Sequence, residues 1–220
     1  MMLQLTRTAS RGLPLILMIM AITLFSQPPA LASEGSIAIV LELDPEQQQE
    51  LFESLHLEKP LNLNRRLHLT IGFIEDISTD NGRNLEPIIR DIISSYMSGN
   101  MIHFQANRIE YPFPSDVLAF RPDYESEAVI KKLNQHLYNE LYHQSGYKLD
   151  VLTRPEHGSY TPHITICRKY FSLDVLTPLK DRLSFLIDQD RSGNMAKQRT
   201  NLQFSSEDLS FIYLPKTKTN

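Results

Sequence analysis

The chain is short of cysteine, of surplus basic charge and of metal-ligand clusters, and each shortage excludes something. With Cys167 as the only cysteine, no internal disulfide can staple the fold, and stability must come from the core. Lys and Arg number 22 against 26 Asp and Glu, a net charge of -4. Duplex or long nucleic acid is normally held by broad basic surfaces, so a tight binder of that kind is not expected. No carboxylates or histidines cluster at metal-ligand spacing, so neither a metal nor another cofactor is expected. The apolar run from Leu13 to Phe25 is shorter than the roughly 20 residues of a spanning helix. A stable membrane partner is therefore not expected either.

That run has a different reading. Arg7 and Arg11 precede it, Ser26-Gln27-Pro28-Pro29 follows, and Ala30-Leu31-Ala32 supplies the small-x-small ending of a signal peptide cleaved after Ala32. No cysteine adjoins the cleavage point for lipid anchoring. Cleavage takes away two of the 22 basic residues and none of the 26 acids, moving the formal charge from -4 to -6. The remaining 188 residues, 33–220, suffice for one compact domain, expected as a monomer and exported to a periplasm or the exterior.

Hydrophobic patterning divides that domain into alternating strands and helices. Ser36 to Leu43 reads as a buried strand, and Asp44-Pro45-Glu46 starts a helix reaching about Leu57. A strand around His68 and a polar loop from Ile77 to Asn81 lead to a helix over 84–97 with Leu85, Ile88, Ile89, Ile92 and Ile93 on one stripe. Residues 102–111 and 117–120 form a hairpin broken at Pro112 and Pro114. A long helix over 126–144 carries Val129, Leu133, Leu137 and Leu141, and Gly146 ends it. Val151 to Tyr160 is a loop, a strand around His163 follows, a helix spans 173–187, Gln189 to Arg199 is loose, and Leu202 to Leu214 closes the sheet. This is an α+β pattern of two similar lobes, each an antiparallel-rich sheet with helices outside.

Two strings carry the chemistry: Leu67-His68-Leu69-Thr70-Ile71-Gly72-Phe73 and Thr161-Pro162-His163-Ile164-Thr165-Ile166-Cys167-Arg168. Side chains alternate along a strand, so His68 and Thr70 share a face opposite Leu67, Leu69, Ile71 and Phe73, and His163 and Thr165 share a face opposite Ile164 and Ile166. Imidazole titrates near neutrality, so two of them flanking a substrate divide proton transfer into base and acid. Threonine adds a hydroxyl that donates to an anionic oxygen. Alternation also puts Gly72 beside His68 and Thr70, either clearing space for substrate or marking a bulge or close strand approach. Cys167 falls on the His163 face as a small hydrophobe.

The paired strings resemble the His-x-Thr motifs of the 2H phosphoesterases, which include the 2'-5' RNA ligase-like proteins and RNA 2',3'-cyclic phosphodiesterases. The resemblance covers about residues 36 to 215. It implies a two-lobed pseudo-symmetric fold with a central cleft, catalytic His68, Thr70, His163 and Thr165, and no metal. The substrate it implies is a nucleotide or short RNA terminus whose 2',3'-cyclic phosphate is hydrolysed to a 2'-phosphate. Arg168 matches the family's trailing arginine as a phosphate contact, although strict alternation puts it on the far face. Tyr160 and Phe113 are candidates to stack on a base, with packing as the alternative for both. His157 and Arg154 lie in the loop before the second motif; His56, His103, His136 and His143 have no motif around them. Alternatives are a 2'-5' phosphodiesterase acting on oligoadenylate-like chains and an exported nucleotide-binding protein without turnover.

N-terminal sequencing of the chain recovered from an extracytoplasmic fraction is expected to begin at Ser33. An intact start at Met1 in that fraction would overturn the signal-peptide reading.

Overall fold

A computed structural model describes residues 34–54, 67–113, 117–155, 160–168, 173–192 and 200–216. The signal segment 1–32, His56, Pro114, His157 and residues 193–199 lie outside these.

Among the described residues seven strands make one sheet in the order β6-β3-β4-β5-β2-β1-β7, with every pairing antiparallel. They are β1 (Glu34–Glu42), β2 (His68–Ser78), β3 (Ile102–Phe113), β4 (Val117–Pro122), β5 (Ile164–Arg168), β6 (Asn201–Phe204) and β7 (Leu209–Pro215). The helices are α1 (Pro45–Ser54), α2 (Thr79–Met97), α3 (Tyr124–Ser145) and α4 (Leu173–Arg191). The expected α+β class is present, but the two lobes are halves of one sheet, not separate sheets. The halves meet where Leu69 of β2 pairs with Ile164 of β5.

The four helices of the described residues contribute to one core on one face of this sheet. Leu51 of α1, Ile89 and Ile93 of α2, Leu133 and Leu137 of α3, and Leu183 of α4 join Ile37, Ile39 and Leu41 of β1 and Leu69 and Ile71 of β2. Each such side chain, fully buried, contributes about 1.5–3 kcal/mol. The alternate residues Val40, Val117 and Ala119 are buried too but stand outside that cluster. They belong to the opposite face.

Local chemistry sets the helix ends. The Ser78 side chain accepts from the Asn81 N–H, so α2 starts at Thr79, where the sequence suggests a loop. The exposed first turn Thr79-Asp80-Asn81 has no apolar periodicity to reveal it. Asp123 caps α3 by accepting from the Ser126 N–H, and Gly146 closes that helix at φ 76°. The buried stripe of α3 runs through Ile130, Leu133, Leu137 and Leu141, while Val129 is exposed, contrary to the expected stripe. Helix α4 continues to Arg191, beyond the expected end.

Chain order and sheet order reveal an internal two-fold. Each half runs strand, helix, His-x-Thr strand, helix, strand, as β1-α1-β2-α2-β3 and then β4-α3-β5-α4 with β7 as the closing strand and β6 added between. The closing strands are exchanged: β3 pairs with β4 of the second half, and β7 with β1 of the first.

A register shift in β2 corrects the face assigned to Gly72. Ile39 pairs with Gly72 while Val40 pairs with Thr70, so Ile71 is an extra residue and alternation reverses beyond it. Gly72 therefore faces the helices, where an added Cβ would stand 2.9 Å from Leu149 Cδ2 and 3.3 Å from Leu137 Cδ2. Phe73, read as a core residue from alternation, pairs with Ala38 on the opposite face and is half-buried. Substituting Gly72→Val is expected to destabilise the fold by about 1–3 kcal/mol through overpacking, read as a lower urea midpoint. An unchanged midpoint would mean that the Gly72 position opens to solvent instead.

Candidate active site

The pairing of Leu69 with Ile164 determines where the four candidate side chains sit. Both residues are fully buried on the core face. Their neighbours His68, Thr70, His163 and Thr165 stand on the other face, each half-buried. In an antiparallel ladder His68 then lies across from Thr165, and Thr70 across from His163. The two histidines occupy a diagonal, where side chains stand about 7–8 Å apart. That separation leaves room for a phosphoryl group hydrogen-bonded at both ends.

The ladder's local two-fold, passing between Leu69 and Ile164, exchanges the motifs. It carries His68 onto His163, Thr70 onto Thr165 and the extra residue Ile71 onto Ile166, because β5 has its own register shift: Ala119 pairs with Thr165 but Leu118 with Cys167. Each motif is thus followed by one extra residue. The shift breaks strict alternation before Cys167 and Arg168, whose backbone partners on β4 are Leu118 and Val117. The side chains of Cys167, Arg168 and Phe113 lie outside the described residues.

Each motif is held by its own backbone contacts. The Leu67 N–H donates to Gln48 Oε1 of α1 at 2.8 Å, and the Leu67 carbonyl accepts from the Leu43 N–H at 2.7 Å, fixing the residue before His68. Past Thr70, β2 leaves β5 and is taken up by the loop after α3. Asn134 Nδ2, buried on α3, donates to the carbonyls of Ile71 at 2.7 Å and Thr153 at 2.9 Å. The Phe73 N–H donates to Thr153 Oγ1 at 3.1 Å, and the Phe73 carbonyl accepts from the Asp150 N–H at 2.6 Å. Arg154 uses its Nε to hold the Leu149 carbonyl.

Of the two readings of Tyr160, stacking on a base and packing, the structure supports packing. Its ring is buried and its hydroxyl donates to the Thr70 carbonyl at 2.8 Å, with burial raising its pKa far above the ordinary value. It is a core residue supporting the first motif from the second, and its ring is not available to a base. The half-buried aromatic on the histidine face is Phe73. Sequence reading missed it because alternation hides an extra residue.

His163 is the better defined imidazole. Its Nδ1 lies 2.9 Å from the Thr161 carbonyl, an acceptor, so Nδ1 carries the hydrogen and the neutral ring keeps its lone pair on Nε2. Burial first, then the Arg121 guanidinium and the His68 imidazole, lower its pKa below the usual 6.5, against the Thr161 hydrogen bond and the Glu110 carboxylate, which raise it. The electrostatic influence of His68 on His163 agrees with the register that makes them diagonal neighbours. Arg121 is itself buried: Nε donates to the Pro162 carbonyl at 3.1 Å, and Nη1 meets Glu110 Oε2 at 2.8 Å. Glu110 also holds Arg108 at 2.9 Å, and Glu127 lies 3.7 Å from Arg121 Nη2. Among the described residues no three His, Cys, Asp or Glu converge in a way that could hold a metal.

No family model matches the chain, and no curated protein does. Solved structures do. Escherichia coli LigT complexed with phosphate is 14% identical at TM-score 0.36, with 62% of this chain and 72% of that one covered. Usb1 of Kluyveromyces marxianus with uridine monophosphate is 16% identical at TM-score 0.41, covering 85% and 100%. The PDE domain of MHV ns2 is 13% identical at TM-score 0.39, covering 84% and 95%.

Because the folded chain resists protonating His163, its contribution to stability is complete above about pH 6.5 and is lost as pH falls from there through the depressed folded value. The urea midpoint of the wild type is expected to drop over that window, and His163→Asn is expected to flatten part of the drop. An equally steep drop in the variant would contradict the assignment. In its two His-x-Thr motifs the chain resembles the 2H phosphoesterases.

Proposed function

We propose that the chain is a metal-independent phosphodiesterase that hydrolyses 2',3'-cyclic phosphates of nucleotides or short RNA ends to 2'-phosphates, working outside the cytoplasm after loss of residues 1–32. The observation that supports this most is the two-fold quartet on one sheet face, with each histidine across from the other motif's threonine. A phosphodiester bound over the diagonal meets an imidazole at each end of the in-line axis, while the hydroxyls of Thr70 and Thr165 donate to its non-bridging oxygens.

The proton inventory then balances. His163 Nε2 takes a proton from water as the water oxygen bonds to phosphorus, and His68 gives its proton to the departing 3'-oxygen as that P–O bond breaks. Phe73, on the same face, offers a surface for the base beside the phosphate. The acidic balance of the chain suits a short phosphate terminus better than a long polyanion.

Full-length protein in EDTA is expected to convert a 2',3'-cyclic nucleotide to the 2'-phosphate, and replacing either histidine with alanine is expected to lower kcat by about 10²–10⁴-fold. Turnover abolished by EDTA, or surviving in the His68→Ala, His163→Ala double variant, would overturn the two-histidine mechanism. Conversion of 2'-5' oligoadenylate alone would move the substrate class to that linkage, and tight nucleotide binding without conversion would favour a binding protein.

A further inference from the structure

The two-fold that exchanges the motifs also exchanges the residues facing them from the next strands outward, and there the symmetry fails in charge. On β1, Glu42 pairs with His68. On β4, Phe120 pairs with Ile164, so Arg121 stands across from His163. The neutral pairs keep like with like: Val40 faces Thr70, and Ala119 faces Thr165. Glu42 and Arg121 are therefore two-fold mates of opposite sign, each one strand outside a histidine. Directly opposed side chains in an antiparallel pair have Cβ atoms about 4.5–5.5 Å apart, well within the range at which a charge biases a neighbour's protonation.

We propose that Glu42 and Arg121 are positioning residues that polarise an otherwise symmetric histidine pair, with Glu42 holding His68 as the protonated partner and Arg121 holding His163 as the neutral one. This deepens the proposed function, on which its catalytic meaning rests.

The surrounding groups support the same division. Arg121 has little capacity to act as a phosphate ligand, since its Nε is engaged by the Pro162 carbonyl, one Nη by Glu110 and the other lies near Glu127. What it delivers to His163 is a fixed backbone, one residue away, and a nearby positive charge. Glu110 on β3 opposes that charge but is shared between Arg121 and Arg108, and Glu127 on α3 is shared between Arg121 and Lys131. The depressed pKa of His163, with Arg121 and His68 among its causes after burial, agrees with a net positive influence. Around His68 the sign reverses. Glu42 is the acidic residue that the ladder pairs with His68, and the nearby Asp208 carboxylate, just before β7, is engaged by the Ser205 N–H at 2.6 Å and lies 3.0 Å from Ser205 Oγ.

The test is an NMR titration of the histidine ring protons in the full chain, which needs no substrate. In the wild type His68 is expected to keep its proton to a higher pH than His163. Glu42→Gln is expected to lower the His68 midpoint by about 1 pH unit while moving His163 little. Arg121→Gln is expected to raise the His163 midpoint, with Arg121→Lys restoring it; should Arg121→Gln fail to fold, Glu42→Gln and the wild-type order still decide. His163 protonating at the higher pH, or a His68 midpoint untouched by Glu42→Gln, would overturn the proposal. If the titrations come out as expected and no phosphodiester is turned over, the proposed function fails while the polarity of the pair stands.

Discussion

Antiparallel pairing at the centre of the sheet is the constraint on which the rest of the structure depends. β2 and β5 touch through the register Leu69 to Ile164, and that one alignment decides that two distant His-x-Thr strings share a face and that the histidines lie on a diagonal. A slip by one residue in either strand would send its histidine and threonine into the core and its leucines or isoleucines out. Register is therefore defended by burial: Leu67, Leu69, Ile71, Ile164 and Ile166 are almost wholly excluded from solvent.

The extra residues Ile71 and Ile166 explain why the pairing is so short. Each ends regular alternation immediately after a threonine, and in the first motif two successive positions, Ile71 and Gly72, are directed toward the core. In the first half the freed edge is satisfied by Asn134 and by the loop Asp150–Thr153, so the strand is not left with unmet backbone groups where it departs. Tyr160 adds a link from the second motif to the Thr70 carbonyl. The two halves of the site are thus tied by hydrogen bonds beyond those of the short β2–β5 pairing.

Much of the fold was legible in the sequence because periodicity is a strong signal. The strands about His68 and His163, the hairpin 102–122 and the stripes of α2 and α3 follow from apolar spacing. Three features were not legible, each for a physical reason. Single-residue shifts in register leave no mark in composition, so strict alternation puts Gly72 and Phe73 on the wrong faces. Tyr160 has a polar tip and an aromatic body, and only the location of the Thr70 carbonyl shows that the tip is used inward. Glu42 and Arg121 look like ordinary strand-end charges until strand order places them across from the histidines.

The exchange of closing strands bears on how the chain acquires its shape. Pairing of Gly35–Leu41 with residues 209–215 joins segments separated by nearly the whole domain, and β3 must leave its own half to meet β4. Neither half can complete its part of the sheet from its own residues. Contacts of such long range recover their loop-closure entropy late, so folding is expected to be slow and cooperative. A ribosome-bound fragment lacking the last strand has an open edge at β1. The sheet becomes whole only once the final strand has been made, so the fold stays unfinished until synthesis is nearly over.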